Sequence, residues 1–540
     1  MSVNNIDVQL FKRVIINGGV NLKNHSDEVN QLNVFPVPDG DTGTNMSMTI
    51  TSGVRELESC ESTSIIDNAK VLSRGALMGA RGNSGVILSQ FFRGFYVGLK
   101  EIAHNYLDIN DFMACLESGR KIAYKAVMEP VEGTILTVIR EATDAVKANF
   151  ENYTTINELM DAYVEAAKVS LNNTPNLLPV LKEAGVVDSG GAGFLFIMEG
   201  IQKGLNGEII DSVDENAVKV EVKEEEIKYL YSIDYVLDLK KPDRYNEKEL
   251  KAALSLLGDC LSVTRDGNQV KAHINTNRPG RAIEISNKQG EFLSLNIDNR
   301  KVQSEAKSAP KQEEVVTKEP LKEMALIACC FGSGIIQTFK DLGVDYVIEG
   351  GQTMNPSTES FVEAIKQVNA KNIIIIPNNG NVIMAANQAA GLARESNVKV
   401  LVAKTIAQGY ASLVNYNPEA SIDENFEAMT EQVKHVISGE VTYSIRDTEI
   451  NGVKIKSGDY MGITSGNIVV STEKRVDALR GLLEKIIKEE SEVVTIFYGN
   501  DIDDSITKDV EALCLEVNPN LDVEIIPGKQ DIYSYIIAVE

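Results

Sequence analysis

The chain has 540 residues, too many for one hydrophobic core, and that length suggests about three or four domains. Apolar residues make up 43% and charged residues 24%, the balance of an ordinary globular protein. The formal net charge of −25 speaks against nucleic acid or an anionic membrane as the main partner, since both select a basic face. No apolar run reaches the roughly 18 residues of an integral membrane segment, and Met1–Gln9 is polar, without a signal-peptide core. The six cysteines (Cys60, Cys115, Cys260, Cys329, Cys330, Cys514) form no Cys-x-x-Cys pair, so neither a disulfide framework nor a cysteine zinc cluster is indicated. These features predict a reduced, cytoplasmic protein.

Leu10, Val14 and Ile15 recur at helical spacing and predict a first helix ahead of Gly18-Gly19. Asn33 to Met46 follows, with Asp39 and Asp41 flanking Gly40 and running straight into Thr42, Gly43, Thr44 and Asn45. Pro36 and Pro38 make the approach extended, and Asn45 to Glu58 reads as a helix. An oxygen-rich loop at a helix start suits a hard cation and the phosphates it carries, and predicts a Mg²⁺–nucleotide anchor. The rivals are a plain Asp-Gly turn and an EF-hand calcium loop. The EF-hand template fails, because its glycine and bidentate glutamate positions hold Thr44 and Ile50.

Ile65 to Met78 is predicted as a helix that ends in Gly79-Ala80-Arg81-Gly82-Asn83-Ser84-Gly85, and Val86 to Leu99 resumes with an apolar face. Glycines there let backbone approach a ligand, and Ser84 with the N–H groups after it can hold an anion. Glu132-Gly133-Thr134 starts the helix Ile135 to Ala148, with Thr134 as N-cap. Asp188-Ser189-Gly190-Gly191-Ala192-Gly193 precedes the helix Phe194 to Leu205. Four glycine-containing loops thus lead into helices with no strand signal among them. An all-α domain over residues 1–205, its glycine loops gathered at one end, would make a nucleotide site without a Walker loop.

Asn33 to Met46, Gly79 to Gly85, Gly133-Thr134 and Asp188 to Gly193 resemble the ATP-binding (DhaL) domain of dihydroxyacetone kinases. Pro-Val-Pro-Asp-Gly-Asp-Thr-Gly-Thr-Asn-Met, followed by two further domains, is closer still to the bacterial fatty acid kinase ATP-binding subunit. The resemblance runs over essentially the whole chain and is most specific over residues 30–100. It implies an antiparallel helical barrel holding ATP and Mg²⁺, with Asp39 and Asp41 as metal ligands and catalytic groups. Asn33 is the nearest match to a third aspartate that the dihydroxyacetone kinases place upstream. Thr42, Gly43, Thr44, Asn45, Met46, Gly79, Asn83, Ser84, Gly85, Gly133, Thr134, Asp188, Gly190 and Gly191 would then contact the cofactor.

Residues 215–303 read as a small α/β domain: a strand over Lys228 to Leu239, a helix over Glu247 to Leu257, and a hairpin of Cys260 to Thr264 with Gln269 to Asn275 around Asp266-Gly267. Fatty acid kinase relatives can carry a cysteine–histidine metal site here. The nearest matches are Ser232, His273 and Asn275, of which only His273 is a good ligand, and a lone histidine reads more readily as structural or surface. Residues 304–322 mix Lys, Glu, Gln and Pro and read as a flexible linker.

Residues 323–540 read as an α/β domain with a largely parallel sheet. Met324 to Cys330, Tyr346 to Ile348, Asn372 to Ile376 and Val398 to Ala403 are short apolar runs; the first three are each followed by a turn and a helix. The polar turns Phe331 to Gly334, Glu349 to Ser357 and Pro377 to Gly380 belong at the sheet edge where such folds take ligands. Cys329 and Cys330 are predicted core residues, Val441 to Ile455 a hairpin around Asn451-Gly452, and Val493 to Phe497 and Val523 to Ile526 late strands. By resemblance the domain is similar to the fold of the fatty-acid-binding partner, with docking or homodimer formation as its expected use.

The resemblance implies a kinase that transfers the γ-phosphoryl group of ATP to a fatty acid carboxylate presented by a separate binding protein, giving an acyl phosphate for phospholipid synthesis. A carboxylate is ionised near neutral pH and needs no general base. Positioning and charge neutralisation then supply the rate, and Arg81 is the candidate cation. The alternatives are a dihydroxyacetone kinase component, for which no histidine stands in a triose-binding context, and a non-catalytic nucleotide-binding scaffold.

Overall fold

The computed structural model describes residues 3–34, 40–100, 102, 104–211, 229–240, 242, 245–255, 257–266, 268–299, 321–350, 355–444, 447–450 and 452–540. The chain forms two compact units, Met1–Glu215 with Pro320–Glu540, and Asn216–Glu319. The expected linker over 304–322 falls almost wholly outside the described residues. No helix among the described residues is long and apolar enough to cross a membrane.

The N-terminal part is helical: α1 (Val8–Asn24), α2 (Ser26–Gln31), α3 (Thr42–Glu58), α4 (Ile65–Met78), α5 (Gly82–Leu99), α6 (Ile109–Lys125), α7 (Ile135–Ala148), α8 (Ile156–Leu177), α9 (Pro179–Ala184) and α10 (Ser189–Leu205). The long helices pack in sequence, α1 on α3, α3 on α4 and so on to α8, which meets α10, and α10 returns to α1 to close the ring. Each buries an apolar stripe inward. Phe91, Phe194 and Tyr163 meet at its centre, Phe91 edge-on to Phe194 with centroids 5.0 Å apart.

The Gly18-Gly19 pair does not end α1, which continues to Asn24. Small residues serve packing here, because α1 and α10 approach almost backbone to backbone. A Cβ on Gly200 would lie 2.6 Å from the Asn17 carbonyl oxygen and 2.7 Å from Gly18 Cα. Asn17 Nδ2 donates to the Gly200 carbonyl at 3.0 Å and Asn21 Nδ2 to that of Phe196 at 2.6 Å. Gly200→Ala gains about 1 kcal/mol of helix propensity and loses more to overpacking, about 1–3 kcal/mol, so the expected net is destabilisation. A lowered thermal midpoint of the helical signal checks this; an unchanged or raised midpoint contradicts it.

The unit Asn216–Glu319 runs β1 (Tyr231–Leu239), α11 (Glu247–Ser255), β2 (Gly258–Asp266), β3 (Gln269–Thr276), α12 (Pro279–Asn287) and β4 (Gly290–Asn299). Its antiparallel sheet has the order β2-β3-β1-β4, the βαββαβ arrangement of ferredoxin-like folds. Ser232 pairs with Asn275, and His273 lies opposite Asp234.

The C-terminal part opens with β5 (Lys322–Cys330), α13 (Ser333–Asp341), β6 (Tyr346–Glu349), α14 (Thr358–Val368), β7 (Ala370–Ile376), α15 (Ile383–Ala390), β8 (Asn397–Val400), α16 (Ile406–Val414) and α17 (Ile422–His435). Its four-stranded sheet, β6-β5-β7-β8, is wholly parallel. Cys329 and Cys330 are buried in β5, and burial pushes the Cys329 thiol up to about 12. The remainder is β9 (Ile437–Tyr443), β10 (Thr448–Ile450), β11 (Val453–Ile455), β12 (Tyr460–Thr464), β13 (Asn467–Thr472), α18 (Arg475–Ile486), β14 (Val493–Tyr498), α19 (Thr507–Val517), β15 (Asp522–Pro527) and β16 (Tyr535–Val539). The late strands build a second sheet, β13-β12-β9-β16-β14-β15, in which only β14 and β15 run parallel. The hairpin is β10–β11, shorter than the sequence suggests, with Val441 in β9 instead.

The parallel sheet and the helical ring share a core. Ala80 and Val86 pack with Ile327, Ile348, Phe361 and Ala385. The Thr358 N–H donates to the Ala80 carbonyl at 3.1 Å, so the carboxyl edge of the sheet faces the start of α5.

Candidate active site

Gly82–Gly85 and Ser189–Gly193 prove to be first turns of helices rather than loops, Glu132-Gly133-Thr134 leads into α7 as expected, and these segments meet. A Cβ on Gly82, whose φ is +60°, would lie 2.6 Å from Asn45 Nδ2, which ties the start of α5 to that of α3. A Cβ on Gly85 would lie 2.5 Å from Thr49 Oγ1. One on Gly190 would lie 3.2 Å from Ile135 Cβ and 3.3 Å from Ser84 Oγ, which brings in α10 and α7. Ser189 Oγ donates to Thr42 Oγ1 at 3.3 Å, and Thr42 Oγ1 donates to Asn33 Oδ1. Helix starts from four parts of the sequence therefore share one end of the ring.

At three of these starts the N-cap residue itself does not cap the helix, although the Ile135 N–H of α7 donates to the Asp188 carboxylate and the Thr44 N–H of α3 to Asn30 Oδ1. Asp41, Arg81 and Thr134 occupy the N-cap positions of α3, α5 and α7, and none accepts a bond from its own first turn. Thr134 Oγ1 donates instead to the Val131 carbonyl at 2.7 Å, and Gly133, with φ +84°, donates its N–H to Thr137 Oγ1 at 2.8 Å. Helix starts brought side by side gather their positive dipole ends, an arrangement that suits an anion.

Asp41 and Arg81 are engaged from across the domain boundary. Asn355 Nδ2 donates to Asp41 Oδ2 at 2.6 Å, and Arg81 Nη1 donates to the Asn355 carbonyl at 2.7 Å. Asn83 Nδ2 donates to Asn381 Oδ1 at 3.1 Å. Arg81 is half-buried; desolvation lowers its pKa while the Glu359 charge works the other way, and a guanidinium remains charged throughout.

Other expected site residues have duties inside the fold. Asn33 is buried, its Oδ1 accepting from Thr42 and, at 3.3 Å, from Ser189, so it fastens α3 to α10 where the sequence suggested a metal ligand. Met46 belongs to the core: its side chain is wholly buried against Gly193. Gly79 and Gly43 are packing positions, where a Cβ would lie 2.3 Å from Ser52 Oγ and 2.1 Å from the Ser26 carbonyl. Thr44 is exposed and bonds Asn30 through its N–H at 3.1 Å and its hydroxyl at 3.0 Å. Asp39 lies outside the described residues.

Asp188 is buried and caps α10, its carboxylate accepting from the Gly191 N–H at 2.7 Å and from the Ile135 N–H. Burial outweighs both bonds and raises its pKa to about 7. A raised native value means the folded chain holds more protons than the unfolded chain from about pH 4 upward. That contribution is therefore complete at low pH and is lost as pH rises through about 7. Asp188→Asn keeps the cap and removes the titration. It should flatten the fall in stability between about pH 4 and 7 by up to a few kcal/mol, at about 1.4 kcal/mol per pKa unit. Thermal midpoints across that range check this, and parallel curves for the two proteins contradict it.

Ser189, Thr49, Asn355 and Asn381 join the site without having been expected there from sequence. The polar turn Glu349 to Ser357, which holds Asn355, and the turn Pro377 to Gly380 just before Asn381 are visible in the sequence at a sheet edge; their docking onto the helical ring is not.

Residues 36–203 match the DAK2 domain, which makes this a kinase-family protein. Residues 228–307 match the FakA-like middle domain of fatty acid kinase, and residues 325–540 the FakA-like C-terminal domain. Protein YloV of Bacillus subtilis is 42% identical over 559 residues, covering 100% of both chains. The chain belongs to the FakA-like fatty acid kinase family. Among solved structures, the Streptococcus pneumoniae fatty acid kinase B3 protein loaded with linoleic acid has a TM-score of 0.29 and 11% identity, covering 40% of this chain and 99% of that one. The dihydroxyacetone kinase from C. freundii, crystallised with AMP-PNP and Mg²⁺, has a TM-score of 0.28 and 17% identity, covering 36% of this chain and 34% of that one.

Proposed function

We propose that the helical domain binds Mg·ATP at the converging helix starts and that the chain phosphorylates a fatty acid carboxylate presented by a separate fatty-acid-binding protein in the cytoplasm, giving an acyl phosphate. The observation that carries this reading is the convergence of the starts of α3, α5, α7 and α10 at one end of the ring, with Asp41 at the head of α3. The residues fit the group: a carboxylate for a hard cation, and helix-start N–H donors for phosphate oxygens. When bound, Mg·ATP supplies the phosphoryl group together with a cation that neutralises charge on its oxygens.

Asp41 would hold the ion, with Asp39 as the second carboxylate expected from the sequence. The first-turn N–H groups of α3 and α5 would orient the phosphates, and Arg81 would face the charge that develops during transfer. The acceptor carboxylate arrives ionised, so no residue need remove a proton. The FakA-like middle and C-terminal domains support this choice of acceptor class.

The test is ADP release and acyl phosphate formation by the full chain with Mg·ATP and a fatty-acid-loaded binding protein from the same cell. Both should require all components. Turnover with dihydroxyacetone instead would assign the chain to triose chemistry, and nucleotide binding without turnover on either acceptor would make it a scaffold.

A further inference from the structure

Asn355 stands on the C-terminal part of the chain, in the segment between β6 and α14, yet its side chain ends at Asp41 at the head of α3. It is 2% exposed, and its Oδ1 is buried without a hydrogen-bond partner among the described residues. An amide has two donors and one acceptor oxygen, and a buried acceptor left empty is unfavourable. Something in the working state should offset that cost. The neighbouring groups narrow the choice. Asp41 Oδ2 already takes the Nδ2 donor, and the Asn355 carbonyl already takes Arg81 Nη1. An acceptor oxygen set beside a carboxylate is what a hydrated divalent cation recognises, since Mg²⁺ keeps several waters and those waters donate.

Resting on the nucleotide-site reading above, we propose that Asn355 completes the divalent-ion site from the C-terminal domain, its side-chain oxygen accepting from an ion-bound water beside Asp41. The two ends of the amide are nearly the same size, so a half-turn of the side chain can also present the oxygen directly to the ion. The C-terminal domain is then part of the phosphoryl-transfer centre, and the centre is complete only when the two domains are docked. Removing the side chain leaves the Arg81 bond intact, because that bond is to the Asn355 backbone.

The test compares the full-length wild type with Asn355→Ala and Asn355→Asp, measuring the Mg²⁺ concentration for half-maximal binding of a non-hydrolysable ATP analogue by calorimetry. Thermal midpoints without ligand are recorded alongside. Asn355→Ala should raise that Mg²⁺ concentration by about 10–100-fold, the usual cost of an outer-shell partner. Asn355→Asp keeps an oxygen and adds charge, so it should bind Mg²⁺ at least as tightly as the wild type while lowering the metal-free midpoint. A residue that merely braces Asp41 predicts the opposite order, with Asn355→Asp worst because two carboxylates repel. That order, or an unchanged Mg²⁺ requirement in Asn355→Ala, overturns the inference and leaves the kinase reading standing. If Asn355→Ala does not fold, weaker Mg²⁺ binding by Asn355→Asp than by wild type overturns it alone. No binding by the wild type overturns both.

Discussion

Asp41→Asn should abolish Mg²⁺-dependent ATP binding and lower phosphoryl transfer by about 10²-fold or more. The substitution is nearly isosteric, and an amide oxygen can still accept from Asn355 Nδ2, so the contact seen at 2.6 Å survives in neutral form. What is lost is the charge, and a hard cation that keeps much of its water is held chiefly by anionic oxygen. Asp41 does not cap α3, so the helix start should persist and the melting temperature should move little. Calorimetry with a non-hydrolysable analogue, run beside a thermal melt, separates the two effects. Wild-type affinity in a folded variant would refute the anchor.

The second large effect is expected at Arg81. Arg81→Ala should lower kcat by about 10²–10³-fold, the cost of losing one preorganised partner for transition-state charge, with a smaller change in KM for ATP. Arg81 also donates to the Asn355 carbonyl at 2.7 Å, so the variant should be somewhat less stable as well. Arg81→Lys keeps the charge but not the planar fork and should recover only part of the rate. A variant that melts earlier yet turns over normally would show that Arg81 is a fastener between domains and nothing more.

Periodicity located much of the helical ring. The spans Ile65–Met78 and Ile135–Ala148 coincide with α4 and α7, because their apolar stripes are regular and their ends carry ordinary caps or turns. It failed where glycine did two jobs. Gly18 read as a stop and is a packing residue, and Gly82, Gly190 and Gly191 read as loop and are helix. Glycine at a helix crossing and glycine at a helix end look alike in one dimension, and only the neighbour at 2.6 Å distinguishes them. The acidic motif singled out Asp41, but not that Asn33 would turn inward to Thr42, nor that an asparagine from beyond the middle domain would reach the same carboxylate. Those last two residues stand 314 positions apart in sequence, and no local pattern encodes their contact.

Open α/β sheets receive their ligands at the carboxyl edge. In this chain Ala80 and Val86 are packed against that sheet, and the Thr358 N–H is closed onto the Ala80 carbonyl. A berth that in other sheets admits a guest is here filled by the chain itself. Whatever else that rim does, among the described residues it serves as the seam along which two folds of one chain are joined.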